Sequence, residues 1–321
     1  MLIYVCVSSH GYGHAARQAA VLIQLHRLHP DWHLVISSSV DETFLALVLG
    51  SVPVSRRTVR WDVGMLQADA LGVDEPATLH ALEQLHNNLP QLLQKEVDWI
   101  QSQNSQVIVV ADIPPAAAEL ADRLNAPLVW MGNFGWDEIY APLGGAFLLW
   151  AERATKAYRR GSLLLRCPFS LPMDWSLSEQ PLDLVSADPQ PVSIDLEEQL
   201  RVDARHKVLV GFGGLGYRLA PDLFSHWTQH LFLMPEPRDS RQFEQFAAAG
   251  NVVWLPKRIR PLDVMPFCDR HLGKPGFSSF CEAMACGLGL HVVERQGFAE
   301  AAVLLDGLRS HADHRLSLIH I

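Results

Sequence analysis

The chain has 321 residues, 49% of them hydrophobic and 19% charged, with a formal net charge of −9 at pH 7. That length calls for two domains rather than one core, and the acidic balance argues against nucleic-acid binding while leaving room for a local basic site that holds phosphate. No apolar stretch approaches the ~20 residues that span a bilayer, which leaves peripheral membrane contact open. Five cysteines without C-x-x-C spacing, and no basic leader segment, are the pattern of a reduced, cytoplasmic protein.

In chain order, residues 2–7 read as a buried strand and 14–29 as a helix with apolar positions at helical spacing. A strand at 34–37, a helix at 42–49, a strand at 53–60 and a long helix over 76–103 follow. Val107 to Val110 is an all-apolar strand. The loop after it contains Pro114 and Pro115, which suit a helix start. Leu128 to Met131 is the next strand. Residues 168–195 change character, with five prolines among several acids, and 171–195 is expected to be a linker. The alternation then restarts, with strands at 207–210, 230–233, 251–254 and 290–294, a short segment near 269–272, and helices near 220–228 and 278–286. The expected domains are therefore 1–170 and 196–321, each a parallel sheet with helices on both faces. The final "RSHADHRLSLIHI" lacks the closing helix of such a domain, and we expect it to be a truncation or a non-native tail.

Three glycine-rich loops follow strands and open helices. They are Gly11-Tyr12-Gly13, Gly211-Phe212-Gly213-Gly214-Leu215-Gly216, and Gly273-Lys274-Pro275-Gly276 before Ser278 and Ser279. Helix-start amides have no intrahelical partner, and glycine lets a ligand approach them, so each loop is a candidate phosphate site. Gly211, Gly213 and Gly216 also match a dinucleotide fingerprint, as do Gly11, Gly13 and Ala16, with Asp41 and Glu236 as ribose-binding acids. An NAD- or FAD-dependent oxidoreductase is therefore a rival reading. No glycine loop ends in Gly-Lys-Ser/Thr, which rules out a P-loop. A zinc pair at His10 and His14 lacks a third ligand.

"GKPGFSSFCEAMACGLGLHVVER", "SSHGYGHAAR", "DIPPAAAELADRLNAPLVWMGNFGWDEIY" and "VLVGFGGLG" together resemble GT-B glycosyltransferases, the MurG-like group and the glycosyltransferase-like N-terminal domain of L-arabinokinases. The resemblance implies two doubly wound Rossmann-type domains facing across a cleft. It implies transfer of a sugar from a nucleoside-diphosphate donor, a UDP-sugar, to a small-molecule or lipid-linked acceptor, with no cofactor. A non-catalytic sugar-nucleotide-binding regulatory module is the alternative. The resemblance places Ser279 at the diphosphate with Gly213 and Gly214, Glu282 at the ribose, and Arg295 and Glu300 near the sugar; Lys274, Gly276 and Ser278, in the same glycine loop and helix start, are further donor-binding candidates. His14 would face the donor across the cleft.

The residues add candidate chemistry of their own. No Asp-x-Asp occurs, so a metal-independent site is expected, relying on helix ends and cations. His14 is the candidate base, since imidazole titrates near neutral pH. It could equally pack or cap its helix, while His10 orients the loop. Asp112, ending a strand, could hold the acceptor, orient His14 or cap the next helix. Arg17 could hold phosphate or pair with an acid, and Lys274 could meet the diphosphate or solvent. Asn133, Trp136 and Asp137 could line an acceptor pocket, with Trp136 stacking on a sugar or buried as core. Lys257, Arg258 and Arg260 read as a solvated basic cluster.

Overall fold

The computed structural model describes residues 1–66, 73–212, 220, 222–237, 241–246, 249–293, 298–310 and 314–317. The chain divides into two compact units, Met1–Val185 with Gln296–Leu304, and Ser186–Arg295 with Leu305–Ile321.

The first unit runs β1 (Leu2–Val7), α1 (Tyr12–Leu28), β2 (His33–Ser37), α2 (Glu42–Leu49), β3 (Val54–Arg57), α3 (Glu75–Ser102), β4 (Val107–Asp112), α4 (Ala117–Leu124), β5 (Leu128–Gly132), α5 (Trp136–Tyr140), α6 (Phe147–Tyr158), β6 (Leu163–Arg166) and β7 (Glu179–Pro181). Its strands form one parallel sheet in the order β3-β2-β1-β4-β5-β6-β7. Every residue of β1 is buried, as a central strand covered on both faces requires. Its period of two divides the core. Ile3, Val5 and Val7 pack with Ala15, Ala19 and Leu22 of α1, while Leu2, Tyr4 and Cys6 pack into the larger core that holds Trp61, Trp130 and Trp136. Local signals set the helix starts. Asp41 caps α2 by accepting from the Phe44 amide at 3.1 Å, and Asp74 caps α3 by accepting from Ala77 at 3.0 Å. Asp41, a ribose-binding acid in the dinucleotide reading, is thus occupied as a helix cap.

The second unit runs α7 (Ile194–Val202), β8 (His206–Gly211), α8 (Asp222–Ser225), β9 (His230–Pro235), α9 (Arg241–Phe246), β10 (Val252–Leu255), α10 (Pro261–Val264), β11 (Arg270–Gly273), α11 (Phe277–Ala285), β12 (Gly289–Val293), α12 (Ala299–Arg309) and β13 (His314–Ser317). Its parallel sheet has the order β10-β9-β8-β11-β12-β13, the same winding as the first. The early residues of α12 belong to the first unit.

The stretch expected to be a linker starts later than 171. Leu171, Met173 and Trp175 are buried in the first unit's core, and β7 pairs with β6, so the prolines there shape a covering strap. In sheets of this winding the chain reverses direction beside the first strand, between β1 and β4 and between β8 and β11. Ligands collect at the C-terminal strand ends of such points.

Candidate functional site

At the first unit's switch point, β1 gives way to Ser8–Gly11 and then α1, while β4 ends at Asp112. The two are tied by backbone, since the Ser8 amide donates to the Asp112 carbonyl at 2.8 Å. His14, Arg17 and Gln18 lie three and four residues apart on α1, so they share one face, and that face meets Asp112. His14 Nδ1 lies 2.8 Å from Asp112 Oδ1. Arg17 grips the same carboxylate with Nη2 to Oδ1 at 2.6 Å and Nε to Oδ2 at 2.7 Å. Gln18 Nε2 donates to Oδ2 at 2.8 Å. Asp112 is fully buried and Arg17 is 3% exposed.

Burial works to raise the Asp112 carboxyl, but Arg17 and His14 hold it well below the ordinary carboxylate range. Burial likewise opposes the charge on Arg17, yet Asp112 wins and raises its affinity for the proton further. With Nδ1–H directed at Asp112, the lone pair of His14 sits on Nε2, and no described residue hydrogen-bonds that atom. This is the arrangement of a general base oriented by a carboxylate.

The network continues outward. Arg17 Nη1 donates to Asn133 Oδ1 at 2.9 Å, and Asn133 Nδ2 donates to Glu300 Oε1 at 2.7 Å. Glu300, which the resemblance puts near the donor sugar, stands here in the first unit beside Asn133. Gly11 precedes α1 with extended backbone, and beyond its chain neighbours no atom of the described residues lies within 4 Å of where a side chain would start. The described residues therefore give no steric reason for glycine there. Gly13 lies in the first turn of α1.

Two expected acceptor-lining residues are core instead. Trp136 is fully buried; His10 and Phe134 meet it edge-on at 5.2 and 5.3 Å and Tyr140 stacks on it at 5.6 Å. Its ring is thus packed by protein, leaving no face for a sugar. Asp137 accepts from the Trp175 indole at 3.0 Å and the Thr155 hydroxyl at 3.1 Å, which fastens the covering strap. His10 stacks on Phe298 at 5.8 Å and accepts from the Met65 amide at 3.3 Å. A side chain at Gly64 would meet the His10 ring at 2.7 Å, and φ there is +69°, so glycine is required on both counts.

Asp62 was not singled out by sequence. It is 4% exposed, and its Oδ2 accepts from the Trp136 indole at 2.8 Å. Its one sequence signal is an acid between Trp61 and Val63, inside a loop that turns inward.

In the second unit, β11 ends at Gly273, and Lys274 and Gly276 lead into α11. A side chain on Gly273 would run into the Gly211 carbonyl oxygen and His271, so the close approach of β8 and β11 explains that glycine. Gly276 caps α11 without a side chain, so Ser278 and Ser279 stand in the first turn of a helix, the kind of helix start that attracts anions. Glu282 stands one turn on from Ser279. Burial pushes its carboxyl up to about 7, with Arg260 opposing and Asp263 adding to the rise. Arg260 is itself buried and paired with Asp263, not part of a solvated cluster. Gly213, Gly214, Gly216 and Arg295 lie outside the described residues.

No family model matches the chain. Over 308 residues it is 28% identical to the L-arabinokinase of Arabidopsis thaliana, a match covering 93% of this chain and 28% of that protein. The chain thus spans little more than a quarter of that relative's length. Among solved structures it is similar to a UDP-glucosyltransferase from Polygonum tinctorium, at 16% identity and a TM-score of 0.67 over 96% of this chain and 83% of that one. It is also similar to UDP-glucose:anthocyanidin 3-O-glucosyltransferase, at 12% identity and a TM-score of 0.67 over 98% and 85%. A third is the spinosyn forosaminyltransferase SpnP, at 13% identity and 0.66 over 99% and 85%. Two parallel doubly wound units, repeated in one chain and matched in this way along nearly its whole length, give this protein the GT-B fold of the glycosyltransferases.

Proposed function

We propose that the chain transfers a sugar from a uridine diphosphate donor to an acceptor hydroxyl, with His14 as general base and no metal ion. The observation that carries this reading is the buried His14–Asp112 hydrogen bond at a switch point, which leaves Nε2 with no hydrogen-bond partner among the described residues. Removing the acceptor proton as the new bond forms is the task such a histidine performs. In the second unit, Ser278, Ser279 and the N-terminal end of α11 suit a diphosphate, whose growing negative charge they stabilise as it departs. Glu282 suits a ribose diol. The anthocyanidin glucosyltransferase similar in fold takes UDP-glucose and binds UDP, which favours uridine. The acceptor is a small or lipid-linked alcohol met in the cytoplasm, and no helix among the described residues is long and apolar enough to cross a membrane.

The test is UDP release from UDP-glucose with and without a panel of alcohol acceptors. His14→Ala should slow turnover by about 10²–10⁴-fold, the usual contribution of a general base, while leaving UDP affinity intact by calorimetry. UDP binding without turnover in the unmodified protein would instead make it a sugar-nucleotide sensor.

A further inference from the structure

Asn133 joins two groups of opposite chemistry. Its Oδ1 accepts from Arg17 Nη1 at 2.9 Å, and its Nδ2 donates to Glu300 Oε1 at 2.7 Å. A guanidinium only donates and a carboxylate only accepts, so a single orientation of the amide serves both. The residue is 1% exposed, and its backbone carbonyl accepts from the Leu171 amide at 2.8 Å. Main chain and side chain are thus both held, and with them one oxygen of Glu300.

The second oxygen of Glu300 is not used in this way. Glu300 lies half-buried in the first turn of α12, just after the Phe298 ring that stacks on His10. No described residue hydrogen-bonds its Oε2, and no described cation forms an ion pair with it. A side chain that only tied α12 to the loop before α5 would need a single acceptor, which an uncharged amide supplies at a smaller desolvation cost. A carboxylate with one oxygen pinned and the other clear of described donors is an acceptor for the hydroxyl groups of a ligand.

The setting is that of the proposed base. Hydrogen bonds of 2.6 to 2.9 Å run from Glu300 through Asn133, Arg17 and Asp112 to His14, and all five residues belong to the first unit. Asn133 commits both polar atoms of its side chain to Arg17 and Glu300, so it does not itself line a pocket. Hydroxyl recognition in this network falls to Glu300.

We propose that Asn133, braced on Arg17, is a positioning residue that presents Glu300 Oε2 to hydroxyl groups of the transferred sugar. The inference rests on the donor being a uridine diphosphate sugar and is independent of His14 acting as the base. Holding the carboxylate in advance removes the cost of ordering a flexible side chain when the ligand binds. It also sets sugar recognition and proton removal on one ion network.

The test is calorimetric titration of the full chain with UDP and with UDP-glucose, which differ by the hexose. Asn133→Asp keeps an oxygen for Arg17 but turns a like charge toward Glu300 in place of a donor. It should weaken UDP-glucose about 10-fold, the scale of one lost hydrogen bond to a charged group, and leave UDP within about twofold. Asn133→Ser removes the donor without adding charge; it should show the same split and serves if the aspartate variant does not fold. Glu300→Ala should weaken UDP-glucose at least as much. Adding Asn133→Asp to it should weaken UDP-glucose no further, because the amide acts through that carboxylate. Equal losses for UDP and UDP-glucose, unchanged UDP-glucose affinity in the Asn133 variants, or a full further loss in the Glu300→Ala background overturns the proposal while UDP binding stands. Wild type that binds UDP but not UDP-glucose overturns it as well. Wild type that binds neither ligand sinks the proposed function and this inference together.

Discussion

Arg17 and Asp112 form an ion pair taken almost wholly out of water. Such pairs contribute little over a well-packed apolar alternative, but halving one strands a charge in the interior. Arg17→Met should therefore destabilise the protein by about 3–5 kcal/mol in urea denaturation at pH 7. Arg17→Met with Asp112→Asn should lose less than the sum of the two, because the second change removes the charge the first exposed. The pH dependence follows from the lowered Asp112 carboxyl. A depressed folded-state value means stability that is present above the unfolded carboxylate range and lost as the pH falls through the folded one. Acid should thus erode the wild type more than Asp112→Asn, and equal acid sensitivity would show that the pair contributes nothing of that kind. Sequence could find His14, Arg17 and Asp112, since a histidine and arginine at helical spacing and an acid ending an apolar strand are visible. It could not join them, because the joining contact spans 98 positions of sequence.

At the scale of the element, α11 was read to within one residue at each end, 278–286 against Phe277–Ala285. Its helix start is marked by Gly276 and its apolar face by Phe277, Phe280, Cys281 and Ala283, all buried. Both sheets were legible for the same reason, because doubly buried strands are short apolar runs. The region from 136 to 181 was not read as elements. α5 and α6 sit among aromatic residues whose burial comes from distant partners, and β7 is three exposed residues with no pattern to detect. α11 also carries a titration. Glu282 binds its proton more tightly in the folded state, so that stabilisation is full below the unfolded value and is lost as the pH rises through about 7. Without ligand, Glu282→Gln should therefore be more stable than wild type at pH 8, by about 1–2 kcal/mol, and indistinguishable at pH 4. Glu282→Ala should weaken UDP by about 1–3 kcal/mol, the range for a lost charge-assisted hydrogen bond. Unchanged UDP affinity would remove Glu282 from the nucleotide site.

Across the whole molecule, both units use one winding, yet the first is completed by residues that come late in the chain. Residues 298–304 return to it after the whole second sheet has been traversed but for its edge strand β13. Phe298 is buried there, stacked on His10 and edge-on to Phe134 at 5.8 Å, and Glu300 receives the Asn133 amide. The sequence pattern placed this segment with the second domain, since chain order was the only guide to membership. A ring wedged between His10 and Phe134 supports the loop that leads into α1, so its loss should be felt in the first unit. Phe298→Ala should cost about 3–5 kcal/mol, as for other buried aromatic truncations. Two units need not unfold together, and the tryptophans separate them. Trp227 and Trp254 lie in the second unit and the rest of the nine lie in the first. Tryptophan fluorescence therefore follows the first unit, and its urea midpoint should fall in Phe298→Ala although residue 298 follows the second unit's core strands. A midpoint unchanged from wild type would mean that the segment rests on the first unit without supporting it.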